Sequence, residues 1–560
     1  MSNHDTTTRA LADAAADAMN SGLAAGRVSG LEALSALMNA MAHSPGLAAR
    51  CRALGRDLAG VAAGTSAIAP ARGDRRFTDP AWQQNPLYRR IGQAYLAAAN
   101  AVTAAVDDAP LDWRRAEQAR FAAGALVSAM APTNTLPGNP AACRRAFDTG
   151  GLSLLRGARN LVADAAAGLR TPRQVDRRSF KLGENIGATP GAVVFRNDVL
   201  EIVQYAPTTP RIRAVPLLIV WSLINRFYIL DLAPGRSFIE YAVGQGIPVF
   251  VTSWRNPGRG ESDWDLDTYA SALLEAIAAV REISRSPEVG TMGLCAGGQL
   301  LAALLAVTAG RDADAIRYAC FGVSQLDMSV PSPAGMALAA PVPALASLAG
   351  RPSGVVDGRD LAAFFSWLRP DELIWSYWVN NYLMGQDPPA FDILAWNADG
   401  TNLPAALHAQ FLEIFQDNVL CEPGRMTVLG TPVDLGRITL PAYVTGGVTD
   451  HLTPWPGCYR TTQLLSGPTT FVLSNAGHIQ SLVNPPGNPK ATYFAGGEPG
   501  PDPQQWLAGS TKVSGTWWVH WADWLLERSA DQVPAPGKLG GGHSPSEQAP
   551  GLYVRDLQPA

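Results

Sequence analysis

Residues Thr291–Leu305, TMGLCAGGQLLAALL, decide the fold of this chain. A glycine, any residue, a cysteine, any residue and two glycines run straight into an apolar segment of helical length. The residues just before, EVGTMGL, read as a short buried strand. Strand, sharp turn and helix in that order make an elbow whose apex side chain, here Cys295, is thrust outward in a strained conformation. Gly293 and Gly297 suit the turn because bulkier neighbours would collide with strand and helix. The following helix aims its N-terminal dipole at the apex, which favours a thiolate, and the amide of Ala296 points to where an oxyanion would form. Taken alone, the segment also fits a structural cysteine buried at a glycine turn.

Outward from the elbow the chain alternates strands and helices. GAVVFRNDVLEIVQYAP from Gly191, AVPLLIVWSLI from Ala214 and IPVFVTSW from Ile247 read as strands, while FIEYAVGQG and TYASALLEAIAAVREI read as helices. This alternation predicts a mostly parallel, doubly wound α/β sheet. From about Leu326 to Val428 the rhythm stops, and a block rich in Pro, Ala and aromatics is expected to form an inserted cap. It resumes with ITLPAYVTGGVTD and TTFVLSNAGH, two strands followed by Asp450 and His478. Nucleophile, acid and histidine therefore appear in the chain order of an α/β-hydrolase triad, each just past a strand's C-terminal end, where open parallel sheets gather their ligands. Among the seven histidines, His4 and His543 fall in expected tails, and His43, His408 and His520 have helix-like or aromatic surroundings. His451 is read as a buttress of the acid loop, with a direct role as its alternative.

The bulk properties narrow the class. A length of 560 residues allows several domains, and a net charge of −4 argues against a general nucleic-acid binder. Only 16% of residues are charged, which fits a surface that meets something apolar. The six cysteines show no CxxC spacing, so neither a zinc site nor a disulfide framework is expected, and a reducing cytoplasm is. The first thirty residues lack the apolar run of a signal peptide, and the most apolar stretch, Val215 to Ile224, is too short to span a bilayer. The expected layout is an Ala-rich helical or flexible arm over 1–70 and an N-terminal helical domain over 71–190. A catalytic domain over 191–530 with a cap at about 326–428, and a loose Gly/Pro/Ser-rich tail over 531–560, complete it.

At these residues the chain resembles the polyhydroxyalkanoate synthases, particularly the class II enzymes. The likeness runs from about Gly73 to Ser529 through RRFTDPAWQQNPLYRR, GAVVFRNDVLE, INRFYILDL, SWRNP, RPDELIWSYWVNNYLMG, PPAFDILAWNADGTNLPAALH, DHLTPW and SNAGHIQSLVNPPGNPKA. The resemblance implies an α/β-hydrolase domain with a cap, an N-terminal helical domain, a homodimer, and residence in the cytoplasm at the surface of polyester granules. It places the triad on Cys295, Asp450 and His478, and a second oxyanion amide near Ile224. Two departures stand out. Trp221-Ser222-Leu223 replaces the usual Pro-Pro pair before Ile224, and the segment Pro331 to Gly350 is unlike the class II pattern.

The implied substrate, an (R)-3-hydroxyacyl-CoA, explains the thiol. A thiolate that takes the acyl group keeps it as a thioester, so loading is nearly isoenergetic and activation survives for the next ester bond. His478 is expected to move the proton, with Asp450 either orienting it or activating the hydroxyl directly. Trp375, Tyr377 and Trp378 are expected to exclude water or simply to fill a core. Arg226, Arg255 and Arg369 could meet CoA phosphates but fit structural ion pairs better. No metal site, phosphate loop or prosthetic cofactor is expected, CoA being a product. The alternatives are a thioesterase or polyester depolymerase on the same scaffold, or a non-catalytic granule-coat protein.

Overall fold

The computed structural model describes residues 46–309, 315–332 and 354–556. Most of the expected N-terminal arm, and most of the divergent segment between Pro331 and Gly350, lie outside them. The described chain divides into two compact units, one of residues 46–177 with 359–391, the other of residues 178–309, 315–332, 354–358 and 392–556.

The first unit is helical. Its helices are α1 (Leu47–Ala63), α2 (Pro86–Asp107), α3 (Trp113–Ala129), α4 (Pro140–Asp148) and α5 (Leu152–Ala166). Their starts are written in the sequence: Asn85, Asp112 and Asn139 each accept a hydrogen bond from a first-turn amide, with Pro86 and Pro140 at the first helical position. Residues Asp371–Trp375 and Trp378–Leu383 widen into π-helical turns. They bury Trp375, Trp378 and Tyr382, which stack edge to face. Trp378 donates its indole N–H to Asn134 O (3.0 Å) and Tyr382 its hydroxyl to Asp164 (2.9 Å). Trp375 and Trp378 are therefore core residues. The insertion expected as one block over 326–428 is divided, residues 359–391 clustering with these helices and 392–428 with the sheet.

The second unit is built on ten strands. They are β1 (Gly191–Arg196), β2 (Leu200–Tyr205), β3 (Leu217–Val220), β4 (Val249–Trp254), β5 (Val289–Leu294), β6 (Ile316–Gly322), β7 (Ala442–Gly447), β8 (Thr469–Ser474), β9 (Thr492–Ala495) and β10 (Thr511–Ser514). Their spatial order is β1-β2-β4-β3-β5-β6-β7-β8-β9-β10. The six strands β3 to β8 run parallel, with antiparallel pairs at both edges. β3, β4 and β5 are buried at every position, as continuous apolar strands covered on both faces must be. Helices α6 (Phe238–Gly244), α7 (Leu266–Ser284), α8 (Ala296–Thr308), α9 (Ala405–Asp417), α10 (Trp455–Leu464), α11 (His478–Leu482) and α12 (Trp517–Leu526) accompany the sheet. Trp517, Trp518 and Trp521 of α12 pack around the Phe238 ring.

The C-terminal segment corrects an expectation. Instead of a loose tail, Gln532–Pro534 pairs with Arg211–Arg213, and Ser546 and Glu547 exchange backbone hydrogen bonds with Val193 on the edge strand β1. Glu201, fully buried, accepts the amides of Leu552 and Tyr553 and an ion pair from Arg196. Glycine-rich composition sets chain stiffness, but buried polar partners elsewhere in the sequence determine whether a segment is held.

Candidate active site

The elbow has the predicted geometry. β5 ends at Leu294, Cys295 takes φ 52° and ψ −126°, and α8 starts at Ala296. A non-glycine residue held there is strained, and the surroundings hold it. The Cys295 amide donates to Gly322 O (3.0 Å), and Ser324 Oγ donates to Cys295 O (2.9 Å). The glycines are required for space. A Cβ on Gly293 would lie 2.6 Å from Gly298 Cα, and one on Gly297 would lie 2.4 Å from Val220 O and 2.5 Å from Trp221 O. Gly297→Ala is therefore expected to force β3 away from α8, giving a markedly less stable protein with little CoA release. Melting temperature and turnover check this together, and a wild-type value for both would contradict it.

Asp450 stands on the turn after β7, its amide bonded to Gly447 O (3.1 Å). One carboxylate oxygen accepts the amides of Leu452 (2.8 Å) and Thr453 (3.0 Å). The other accepts Thr453 Oγ1 (2.8 Å) and meets His478 Nδ1 (2.7 Å). His478 is the first residue of α11, beyond β8. Both side chains are buried, and the Cys295 sulfur is near enough to the imidazole to act on its charge. Burial alone would pull the His478 pKa down, but the Asp450 carboxylate and the neighbouring sulfur raise it to about 10. Burial likewise opposes ionisation of Asp450, yet His478 and the Thr453 donors hold it below the ordinary carboxylate range.

The three residues singled out by chain order are thus brought together. Ala296 occupies the first position of α8, with its amide at the helix N-terminus. The loop after β3 meets the elbow through the Val220 and Trp221 carbonyls at Gly297, while the Ile224 carbonyl accepts the amide of Thr401 (3.4 Å). His451 follows Asp450 and is half-buried. The three arginines all have protein partners. Buried Arg226 donates to Tyr553 O (3.0 Å) and pairs with Asp556, Arg255 pairs with Glu261 and lies over Trp264, and Arg369 pairs with Glu372.

Sequence reasoning missed Thr453, whose hydroxyl touches both members of the pair, 3.1 Å from His478 Nδ1. A signal was present: a threonine three residues after an aspartate closes the turn in which side-chain oxygens accept backbone amides. Cys320, Cys421 and Cys458 are buried or half-buried, and burial pushes their thiols up, Cys320 and Cys421 to about 12. Among the described residues, no group of three or more His, Cys, Asp or Glu is placed to hold a metal ion.

A family model described as "Poly-beta-hydroxybutyrate polymerase (PhaC) N-terminus" matches residues 73–242, and one described as "alpha/beta hydrolase fold" matches residues 235–485. Poly(3-hydroxyalkanoate) polymerase 1 of Ectopseudomonas oleovorans is 42% identical over 503 residues, covering 90% of this chain and 90% of that one. Poly(3-hydroxyalkanoate) polymerase 2 of the same organism is 44% identical over 504 residues, with 90% of each chain covered. The poly(3-hydroxyalkanoate) polymerase subunit PhaC of Cupriavidus necator is 38% identical over 496 residues, 86% of this chain and 83% of that one. These likenesses span both family models and the strand order that carries the elbow, so the chain belongs to the poly(3-hydroxyalkanoate) polymerase family.

Proposed function

We propose that this chain polymerises (R)-3-hydroxyacyl-CoA thioesters into polyester, with Cys295 as the nucleophile. The observation that carries the reading is a cysteine strained at the apex of a strand–helix elbow, beside an imidazole that a buried carboxylate holds at 2.7 Å. The Cys295 sulfur attacks the thioester carbonyl, and the oxyanion forms at the N-terminus of α8 near the Ala296 amide. CoA leaves as a thiol with the proton from His478, and the acyl group stays on Cys295 as a thioester. That proton is the one His478 takes from the Cys295 thiol, so in the acyl-enzyme the imidazole is neutral and free to act as a base. It takes the proton of a 3-hydroxyl, whose oxygen attacks the Cys295 thioester, forming the ester bond and returning the sulfur.

Asp450 works through His478 in this scheme. Its oxygens already accept two amides, a hydroxyl and the imidazole, and its depressed pKa makes it a weak base toward an alcohol. Supplying (R)-3-hydroxybutyryl-CoA and (R)-3-hydroxyoctanoyl-CoA separately, and measuring CoA with the mass of the acyl product, tests the function. Insoluble polyester supports it and the faster substrate gives its class. CoA with free hydroxy acid alone would overturn it in favour of a thioesterase.

The reading extends to work as a homodimer at the surface of polyester granules in the cytoplasm. Among the described residues no helix is long and apolar enough to cross a membrane. A different apolar feature supports surface attachment. Leu152, Leu155 and Val162 share one face of α5 and are 56%, 69% and 67% exposed, with Arg156 and Arg159 also exposed beside them. An apolar stripe edged by guanidinium donors suits a polyester, whose surface is alkyl and ester carbonyl. Replacing both Leu155 and Val162 with Glu is expected to leave CoA release intact and to lower the fraction that sediments with polyester particles several-fold. Unchanged sedimentation would contradict this role for the stripe.

A further inference from the structure

The loop between β3 and the turn Phe227–Leu230 lacks the prolines expected there, yet its shape is closely determined. Trp221, 1% exposed, folds back so that its indole N–H donates to Asn225 O (2.9 Å), closing the loop on itself. At the start of the loop, Trp254 donates its indole N–H to Trp221 O (2.8 Å), the carbonyl that lies against Gly297. Just beyond its end, Trp396 donates to Arg226 O (2.6 Å) and packs edge-on against the Trp221 ring, centroids 6.4 Å apart. Three buried indoles thus donate to three carbonyls of this loop and its flank. Two further buried atoms of this loop, Ser222 Oγ and Asn225 Oδ1, have no hydrogen-bond partner. Buried polar groups are normally paired, and exceptions gather where a site must keep donors and acceptors available.

We propose that Trp221 is a positioning residue for acyl transfer, its indole fixing the loop whose backbone supplies the second oxyanion donor. This rests on the reading of Cys295 as nucleophile. Oxyanion donors act through preorganisation, and a displacement of about 1 Å can cost roughly a hundredfold in rate. Phenylalanine at 221 keeps most of the ring and removes the one N–H that closes the loop, leaving Asn225 O buried and unpaired. The loss falls on the transition state, since the ground-state thioester gains little from the oxyanion donor.

The test compares full-length Trp221→Phe with Trp506→Phe. Trp506 is also buried, but its indole N–H has no partner, so the same substitution there removes no hydrogen bond. CoA release from (R)-3-hydroxyoctanoyl-CoA, the rate of Cys295 acylation after rapid mixing, and melting temperature are read for both. Trp221→Phe is expected to lose about tenfold to a hundredfold in acylation rate and kcat, with KM changed by less than about twofold. Trp506→Phe is expected to keep the wild-type rate. A wild-type acylation rate in Trp221→Phe overturns the proposal, as does an equal loss in Trp506→Phe that follows melting temperature. Should Trp221→Phe fail to fold, Trp221→His, a smaller ring that keeps an N–H, is compared with Trp221→Leu, which has none: the histidine variant is expected to acylate faster, and equal losses in the two overturn the proposal. Cys295→Ala that keeps acyl transfer within about tenfold of wild type would instead defeat the nucleophile reading, so the two failures are distinguishable.

Discussion

Cys295→Ala is expected to reduce CoA release by at least about a thousandfold while leaving the protein folded. Alanine keeps the Cβ, so the backbone at φ 52° stays as strained as before and is held by the same bonds from the residue 295 amide to Gly322 O and from Ser324 Oγ to the residue 295 carbonyl. The binding groups and the helix N-terminus remain, so any residual rate reports them alone. Cys295→Ser separates the thiol from mere nucleophilicity. An oxygen ester formed at loading dissipates the thioester's free energy, so a single slow acylation without chain growth is the expected outcome. Steady-state CoA release and polymer mass check both variants, and polymer from Cys295→Ala would contradict the account.

Asp450→Asn is expected to lower kcat by about a hundredfold to ten-thousandfold, with the fold intact at neutral pH. The amide can still accept from Leu452 and Thr453, but it no longer fixes the imidazole tautomer or stabilises its charged form. The pair also contributes to stability, and the sign follows from its two shifts. His478 has a folded value near 10 against an ordinary 6.5, so its contribution is complete below about pH 6.5 and fades as pH rises through about 10. Asp450 is held below its ordinary 3.8, so its contribution is present above that value and lost on acidification. The melting-temperature gap between wild type and Asp450→Asn is therefore expected to be widest in the weakly acidic range and to narrow towards pH 10. A gap that widens with rising pH would contradict the assignment.

The elbow and the parallel sheet were legible because local chemistry and long-range structure agree there. Apolar runs that can only be buried strands alternate with helices, and GLCAGG has room for its turn only without side chains at 293 and 297. The acid and histidine were legible for the same reason, since each follows a recognisable strand. What was missed depends on partners remote in sequence. Nothing local in Gln532–Pro534 or Tyr553 announces that Arg211–Arg213 and the buried Glu201 will hold them. The aromatic run at Trp375–Tyr382 looks alike as a cap or a core, and only Asn134 and Asp164, more than two hundred residues earlier, make it the latter. The Trp221 loop reads as a departure in sequence because a side-chain N–H that replaces a proline's rigidity has no one-dimensional signature.

The most direct test of the central claim is the mass of the Cys295-containing peptide after wild-type protein is mixed with (R)-3-hydroxyoctanoyl-CoA and quenched in acid within milliseconds. A peptide heavier by one hydroxyacyl group, labile to hydroxylamine and absent from Cys295→Ala, is the predicted result. An unmodified Cys295 peptide recovered while CoA is being released would show that acyl transfer bypasses this sulfur, and the account would fail.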